Sequence, residues 1–410
     1  MSERPDPSRT SSRTRAVHGG RAEGPGPVVA PLVQSSTFAF ADHDAMLAAF
    51  HAKDQGVVYS RYSNPTLMAC EERLAAVEGA EASLAFASGM AAITSAVLSF
   101  VRAGERVLAQ REIYGGSHEF FSHWAPRLGI EVDWFGANDE KELAAGLARR
   151  PAVVYLETPT NPTLRCVDLR DAATRARAAG AVSIVDGTFA SPMNQRPLDL
   201  GIDLVVHSAT KYLAGHADLV AGCVCGARDK IKTLWRARKL FGGTLDPHGA
   251  FLLERSLRTL AVRMEAHNTN GLEVARFLAG HAAVERVYYP GLPSHPDHET
   301  ARRQMAGFGG MVTVSVRGDG QAAIRFAESL QLFRLAPSLG GVESLVSIPA
   351  TSSHYALSAA ERERAGVPDN MVRLSLGIED AEDLIRDLDQ ALGRAGGRAA
   401  ATAAAERGSA

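Results

Sequence analysis

Several short stretches bring together residue types that do chemistry. Asp186 closes the apolar run AVSIVDG at 181–187, and Lys211 lies just past the next apolar run, inside HSATKYLAGHAD, flanked by Ser208 and Thr210. Ligands of open α/β sheets bind at strand ends. A lysine there, with hydroxyls able to reach a phosphate, suits a Schiff base to pyridoxal phosphate; the aspartate would keep the pyridine nitrogen protonated and the ring an electron sink. Ser88-Gly89-Met90 opens a helical run after SLAFAS, so its N–H groups would face an anion at the same edge. Tyr114-Gly115-Gly116 follows another strand and could stack an aromatic ring on a cofactor. Arg373 interrupts the apolar run MVRLSLG and, if buried, needs a partner such as a substrate carboxylate. Each has a plainer reading alone: a surface lysine, an ordinary Ser-Gly turn, a structural ion pair. Their recurrence at strand ends is what favours one cofactor site.

The elements that must position these residues follow from the pattern. Short β-branched runs (ERVLAQ, AVVYLET, AVSIVDG, DLVVHSA, LVAGCVCG) alternate with helical stretches, which predicts an α/β domain whose mostly parallel sheet is covered on both faces. After Lys230 the chain reads as long and helical, with Arg255, Arg258, Arg263 and Glu265 on solvent faces. GMVTVSV and MVRLSLG then predict strands of a smaller α+β unit closed by the amphipathic helix EDLIRDLDQAL. The expected organisation is an N-terminal extension and arm (1–65), a large domain (66–260), a small C-terminal domain (261–395) and an unstructured tail (396–410). Within the first segment, residues 16–65, rich in Pro, Gly and Ser, read as extended chain and the first fifteen as disordered.

Composition excludes other classes. With 44 Lys+Arg against 46 Asp+Glu in 410 residues, the net charge of −2 gives no footprint for nucleic acid or a membrane surface. Gly89–Val101 is too short to span a bilayer. Four cysteines with no CxxC pair predict neither a disulfide framework nor a structural zinc, and the cytoplasm is the expected compartment. His295 and His298 lie in a Pro-rich loop, where metal binding is not expected.

Taken together, YSRYSNPT, SGMAA, YGG, ETPTNPTL, SATKYLAGHAD, YYPGLPSHPDH, GFGGMV, SLGGVESL and VRLSLGIED run in order over nearly all of residues 15–392. In this the chain resembles the Cys/Met-metabolism (trans-sulfuration) enzymes of pyridoxal-phosphate fold type I, such as cystathionine γ-lyase, cystathionine γ-synthase and methionine γ-lyase. The resemblance implies that Lys211 binds pyridoxal 5'-phosphate and shuttles protons, while Asp186 pairs with the pyridine nitrogen. Ser88, Gly89, Met90, Ser208 and Thr210 would cradle the phosphate, Tyr114 stack on the ring, and Asn161 lie near its hydroxyl. Ser338 and Arg373 would hold the substrate carboxylate. Tyr59 and Arg61, with Tyr59 also catalytic, would reach the phosphate of a neighbouring subunit, implying a homodimer at least and a tetramer by family habit.

The activity so implied is elimination or replacement at the γ, or β, carbon of a sulfur-containing or O-activated amino acid, of cystathionine γ-lyase type. The alternatives are γ-replacement on an O-acyl or O-phosphohomoserine, or a specialised γ-substitution. A catalytically retired homologue and an aminotransferase are disfavoured by the intact Lys211 and by the SATKYLAGHAD block. Several positions depart from the family: Val58, Glu119 and Pro337 replace the charged residues that in the family help read the distal end of cystathionine, which counts against that substrate, and Gly116, Gly187 and Ser352-Ser353 differ as well.

Overall fold

The computed structural model describes residues 10–20, 26–51, 57–352, 355, 362 and 366–407; residues 1–9 and Ser353 lie outside them. Seven strands form the larger sheet: β1 (Ala82–Phe86), β2 (Arg106–Gln110), β3 (Glu131–Phe135), β4 (Val153–Glu157), β5 (Val182–Asp186), β6 (Leu204–His207) and β7 (Gly222–Gly226). Their spatial order is β1-β7-β6-β5-β4-β2-β3. β7 runs antiparallel to both neighbours, and the remaining pairs are parallel. β4, β6 and β7 are buried along their whole length, as continuous apolar strands between two helical layers must be. Because two antiparallel pairings separate β1 from β6, the C-terminal ends of β1, β2, β4, β5 and β6 share one edge. Ser88, Tyr114, Glu157, Asp186 and Lys211 all fall at or just beyond those ends.

Five strands build the second sheet, in the order β10-β11-β12-β9-β8: β8 (Val284–Tyr288), β9 (Met311–Val316), β10 (Arg334–Leu335), β11 (Leu345–Ser347) and β12 (Met371–Ser375). Arg373 sits mid-strand in β12, opposite Ser347 on β11 and Thr313 on β9. Three helices, Arg228–Phe241, Pro247–Leu257 and Leu260–Gly280, connect the sheets. Here one expectation is corrected: Arg263 is 3% exposed, not on a solvent face. It donates to the carbonyls of Tyr212 (2.6 Å), Ser256 (2.9 Å) and Leu213 (3.3 Å), so its charge braces the turn that follows Lys211.

The arm is less extended than its composition predicts. Ser11 caps a helix at Ser12–His18, and a second helix spans His43–His51. The first is held because Ala16 is fully buried and its carbonyl accepts from Arg73, 2.6 Å away, in the helix Pro65–Glu78. At the other end the backbone stays helical from Ala381 to Arg407, through a stretch whose alanines favour helix. Among the described residues no helix is long and apolar enough to cross a membrane.

Candidate active site

A cavity of about 910 Å³ opens at the shared strand edge and is closed on its far side by the smaller sheet. Ser88, Gly89, Met90, Tyr114, Asn161, Asp186, Ser208, Thr210, Lys211 and Arg373 all line it. Ser88 is the N-cap of the helix Gly89–Leu98, its hydroxyl accepting from Ala91 N–H at 3.1 Å. The N–H groups of Gly89 and Met90 precede the first intrahelical bond and point out of the helix start. A Cβ at Gly89 would come 2.9 Å from that of Ser208, so only glycine lets this helix start meet the Ser208 turn.

Lys211 and Arg373 are joined through Ser338. Lys211 Nζ donates to Ser338 Oγ at 3.0 Å; Arg373 donates to Ser338 O at 3.2 Å and to Asn161 Oδ1 at 3.0 Å. Burial, and then the charge of Arg373, push the Lys211 pKa down, which favours a free amine. Burial draws Arg373 down to about 10, leaving it a cation at neutral pH. Asp186 accepts on Oδ1 from Thr188 N–H (3.0 Å) and Thr188 Oγ1–H (2.5 Å), while Thr188 Oγ1 accepts from Ser208 N–H at 2.8 Å. Thr188 thereby links the helix-side cradle to the aspartate.

Glu157 was not singled out in the sequence. It is 4% exposed and accepts from Tyr114 N–H at 2.6 Å and Asn161 N–H at 3.2 Å, so one carboxylate positions both the aromatic residue and the partner of Arg373. The available clue was a charge at the end of AVVYLET, the same pattern that drew attention to Asp186. Apart from Pro337, the far wall is not legible in the sequence: Ile324, Ala327, Leu335, Ala336 and Ile348 come from separate segments. Tyr59 and Arg61 do not line this cavity; Tyr59 is 41% exposed on the arm, and the Arg61 guanidinium stacks on Tyr59 and Tyr62. Of the departures, Pro337 and Ser352 line the cavity, whereas Val58, Gly116, Glu119 and Gly187 do not. A Cβ at Gly116 would fall 2.6 Å from the Tyr114 ring, so the glycine lets that ring fold back over the chain. His295 and His298 face the carbonyls of Thr163 and Pro290.

The site has the parts of a phosphate-bearing pyridine cofactor's seat, and the profile of the Cys/Met metabolism PLP-dependent enzymes matches residues 13–393. The chain belongs to this family. It is therefore a pyridoxal-phosphate enzyme of trans-sulfuration type. It is 42% identical over 384 residues to the L-methionine gamma-lyase of Pseudomonas putida, a match spanning 92% of this chain and 96% of that one. It is 40% identical over 388 residues to the chloroplastic cystathionine gamma-synthase 1 of Arabidopsis thaliana, spanning 93% and 69%. The solved cystathionine gamma synthase of Xanthomonas oryzae pv. oryzae, in complex with aminoacrylate and cysteine, superposes with a TM-score of 0.89 at 39% identity, covering 94% of this chain and 98% of that one. These relatives include both a synthase and a lyase, so kinship gives the cofactor and the chemistry class of the enzyme while leaving the substrate to its pocket. The cradle fits the cofactor: a helix start open to an anion, a partly buried amine, and a buried carboxylate one strand away.

Proposed function

We propose that the enzyme eliminates a γ substituent from a sulfur-containing L-amino acid, in the manner of a cystathionine γ-lyase. The observation that carries this reading is the Lys211–Ser338–Arg373 chain, which sets a proton-accepting amine beside a cation able to grip an α-carboxylate. Bound pyridoxal phosphate supplies an electron sink for the pair left when a C–H bond beside the substrate amine breaks. Ser88, Gly89, Met90, Ser208 and Thr210 would hold its phosphate, Asp186 its ring nitrogen, Asn161 its hydroxyl and Tyr114 its face. Lys211 Nζ would take the α proton, return it to the conjugated system that holds the electron pair and, as a free amine again, take a β proton, which it would give to the departing γ thiolate. Arg373 and Ser338 hold the carboxylate throughout, which keeps the α C–H bond within reach of the amine.

The distal part of the cavity sharpens the choice. Among the described residues the only cations lining the whole cavity are Lys211 and Arg373, and its only carboxylate apart from Glu157 and Asp186 is Glu328. Glu328, on the helix Gly320–Ser329, can meet a distal ammonium where Pro337 cannot. The apolar wall around Pro337 equally favours a second reading, γ-replacement on an O-acylated homoserine, whose leaving group carries no ammonium. Tyr59 and Arg61 would complete the site of a second copy, making the working unit a homodimer at least, and a tetramer if two dimers pair. Four buried, unpaired cysteines suit the cytoplasm.

Purified protein with added pyridoxal phosphate should be offered L-cystathionine, L-methionine, L-cysteine and O-acetyl-, O-succinyl- and O-phosphohomoserine, with and without cysteine. Release of 2-oxo acid and thiol from L-cystathionine is the expected result. A new thioether from an activated homoserine plus cysteine, without 2-oxo acid, would establish the replacement reading instead. Silence across the panel from an enzyme that holds its cofactor would overturn both.

A further inference from the structure

Behind the cavity floor lies a charged pair that no step above uses. His207, the last residue of β6, has Nε2 3.0 Å from Oε2 of Glu78 at the end of the helix Pro65–Glu78. Their side chains are 2% and 1% exposed. Desolvating an ion pair so completely costs more than packing apolar groups of the same volume, so its presence asks for a reason beyond stability.

The imidazole lies against the chain directly after Asp186. A carbon on Gly187 would stand 3.0 Å from His207 Cε1 and 3.6 Å from Nδ1, and Gly187 N–H donates to Val206 O at 3.0 Å. Among the described residues, His207 Nδ1 and Glu78 Oε1 have no hydrogen-bond partner. The titratable groups facing His207 are Glu78, Asp186 on β5, and Cys223, its register partner on β7. Burial alone would lower the histidine's pKa, but the hydrogen bond and charge of Glu78 outweigh it and bring it to about 9, so it is an imidazolium at neutral pH.

On its other side Asp186 has a like-charged neighbour. Glu157 and Asp186 are register partners at the ends of β4 and β5, both 5% exposed or less. Burial raises both carboxyls, and Asp186 raises Glu157 further, so two full negative charges are disfavoured there. Their hydrogen bonds lean toward charge on Asp186, since Glu157 accepts from two backbone N–H groups and Asp186 from the N–H and hydroxyl of Thr188 and from the Tyr155 hydroxyl. The sheet order leans the same way. β6 neighbours β5, whereas β4 lies one strand further on, about 4.8 Å more across the sheet, so a cation on β6 favours charge on Asp186 over Glu157.

We propose that His207, paired with Glu78, is a positioning residue whose buried positive charge biases the negative charge of the Glu157–Asp186 pair onto Asp186, where the cofactor's ring nitrogen requires it. Sequence motifs do not reveal this role, because Glu78, His207 and Asp186 come from three separate elements.

The test uses the holoenzyme without substrate, so it is independent of which amino acid the enzyme consumes. Glu78→Gln, Glu78→Asp and His207→Gln are compared with wild type by the pH at which the visible absorption band of the bound cofactor changes, with circular dichroism as the folding control. A less protonated ring withdraws less charge, so the group joining it to Lys211 keeps its proton to higher pH. In His207→Gln and Glu78→Gln the midpoint is expected to rise by about one pH unit, and Glu78→Asp, which keeps the charge, should stay near wild type. The double variant E78Q/H207Q should shift no further than either single change. It buries no charge, and so decides the matter if both single variants misfold. A folded, cofactor-loaded His207→Gln, Glu78→Gln or double variant with the wild-type midpoint overturns the proposal.

Discussion

The two sheets build opposite walls of one cavity, and the walls differ in how their polar groups are held. On the side of the larger sheet, Glu157 ties Tyr114 to Asn161, and Thr188 ties Asp186 to Ser208. On the side of the smaller sheet, Arg373 reaches into that network through Asn161, but Ile324, Ala327, Leu335, Ala336 and Pro337 offer shape and no hydrogen-bonding side chain. A reaction that stores charge on a cofactor needs fixed dipoles and charges around it, because those cost no reorganisation as the charge develops. A wall that only selects a leaving group can vary without disturbing that arrangement. On the proposed reading, chemistry and specificity fall on separate walls, and substitutions on the two should have separable effects.

The comparison breaks most sharply at Lys211. Replacing it with alanine should cut turnover by about 10³-fold or more on any substrate, with the covalently held cofactor lost from the absorption spectrum. A variant retaining a tenth of the activity would remove Lys211 from the proton transfers. Arg373→Ala should raise KM by about 100-fold and change kcat far less, since it removes a charged grip on the carboxylate. Equal falls in kcat and kcat/KM would place it in the chemical step instead.

On the opposite wall the effects should be smaller and selective. Pro337→Glu is expected to favour L-cystathionine over L-methionine by about tenfold in kcat/KM, by adding a carboxylate for the distal ammonium. An equal change for both substrates would contradict the division between the walls. Glu328→Gln should lower cystathionine kcat/KM by about threefold, the modest effect of a solvent-screened charge, and leave O-acetylhomoserine unchanged.

The smallest expected effect is on stability. His207 has a pKa of about 9 when folded, against an ordinary value of 6.5, so the native state binds more protons between those limits. Its contribution is complete below pH 6.5 and is lost as pH rises toward 9. The melting temperature of the cofactor-free protein should fall by a few degrees across that window, and the fall should flatten in Glu78→Gln. Parallel melting curves for the two proteins would show that the pair carries no such linkage.

Much of the cofactor wall was legible because its residues punctuate apolar runs. Asp186 and Lys211 stand where a buried strand must end, and an ionisable group there faces the strand edge, not the core. Glu157 stands in the same kind of position but is not legible there, since a carboxylate whose work is to accept backbone N–H bonds has no partner visible in a linear pattern. Arg263 misled for a related reason. Helical spacing put it on a solvent face, and only the carbonyls of Tyr212, Leu213 and Ser256 explain its burial. Ala16 likewise reads as part of a loose arm by composition, whereas Arg73 holds its carbonyl in the fold.

The sequence by itself determined the alternation of strands and helices, the strand ends where chemistry is placed, and a motif order specific enough to indicate the cofactor. These are local properties: apolar runs, turn residues and helix starts act over a few neighbouring positions. The tertiary structure alone decided which residues from distant segments meet. It brought Lys211 to Ser338 and Arg373, set β6 beside β5 and one strand from β4, and assembled an apolar wall from three unconnected stretches. Charge interactions and cavity shape depend on separation in space, and the chain sets that separation only by folding.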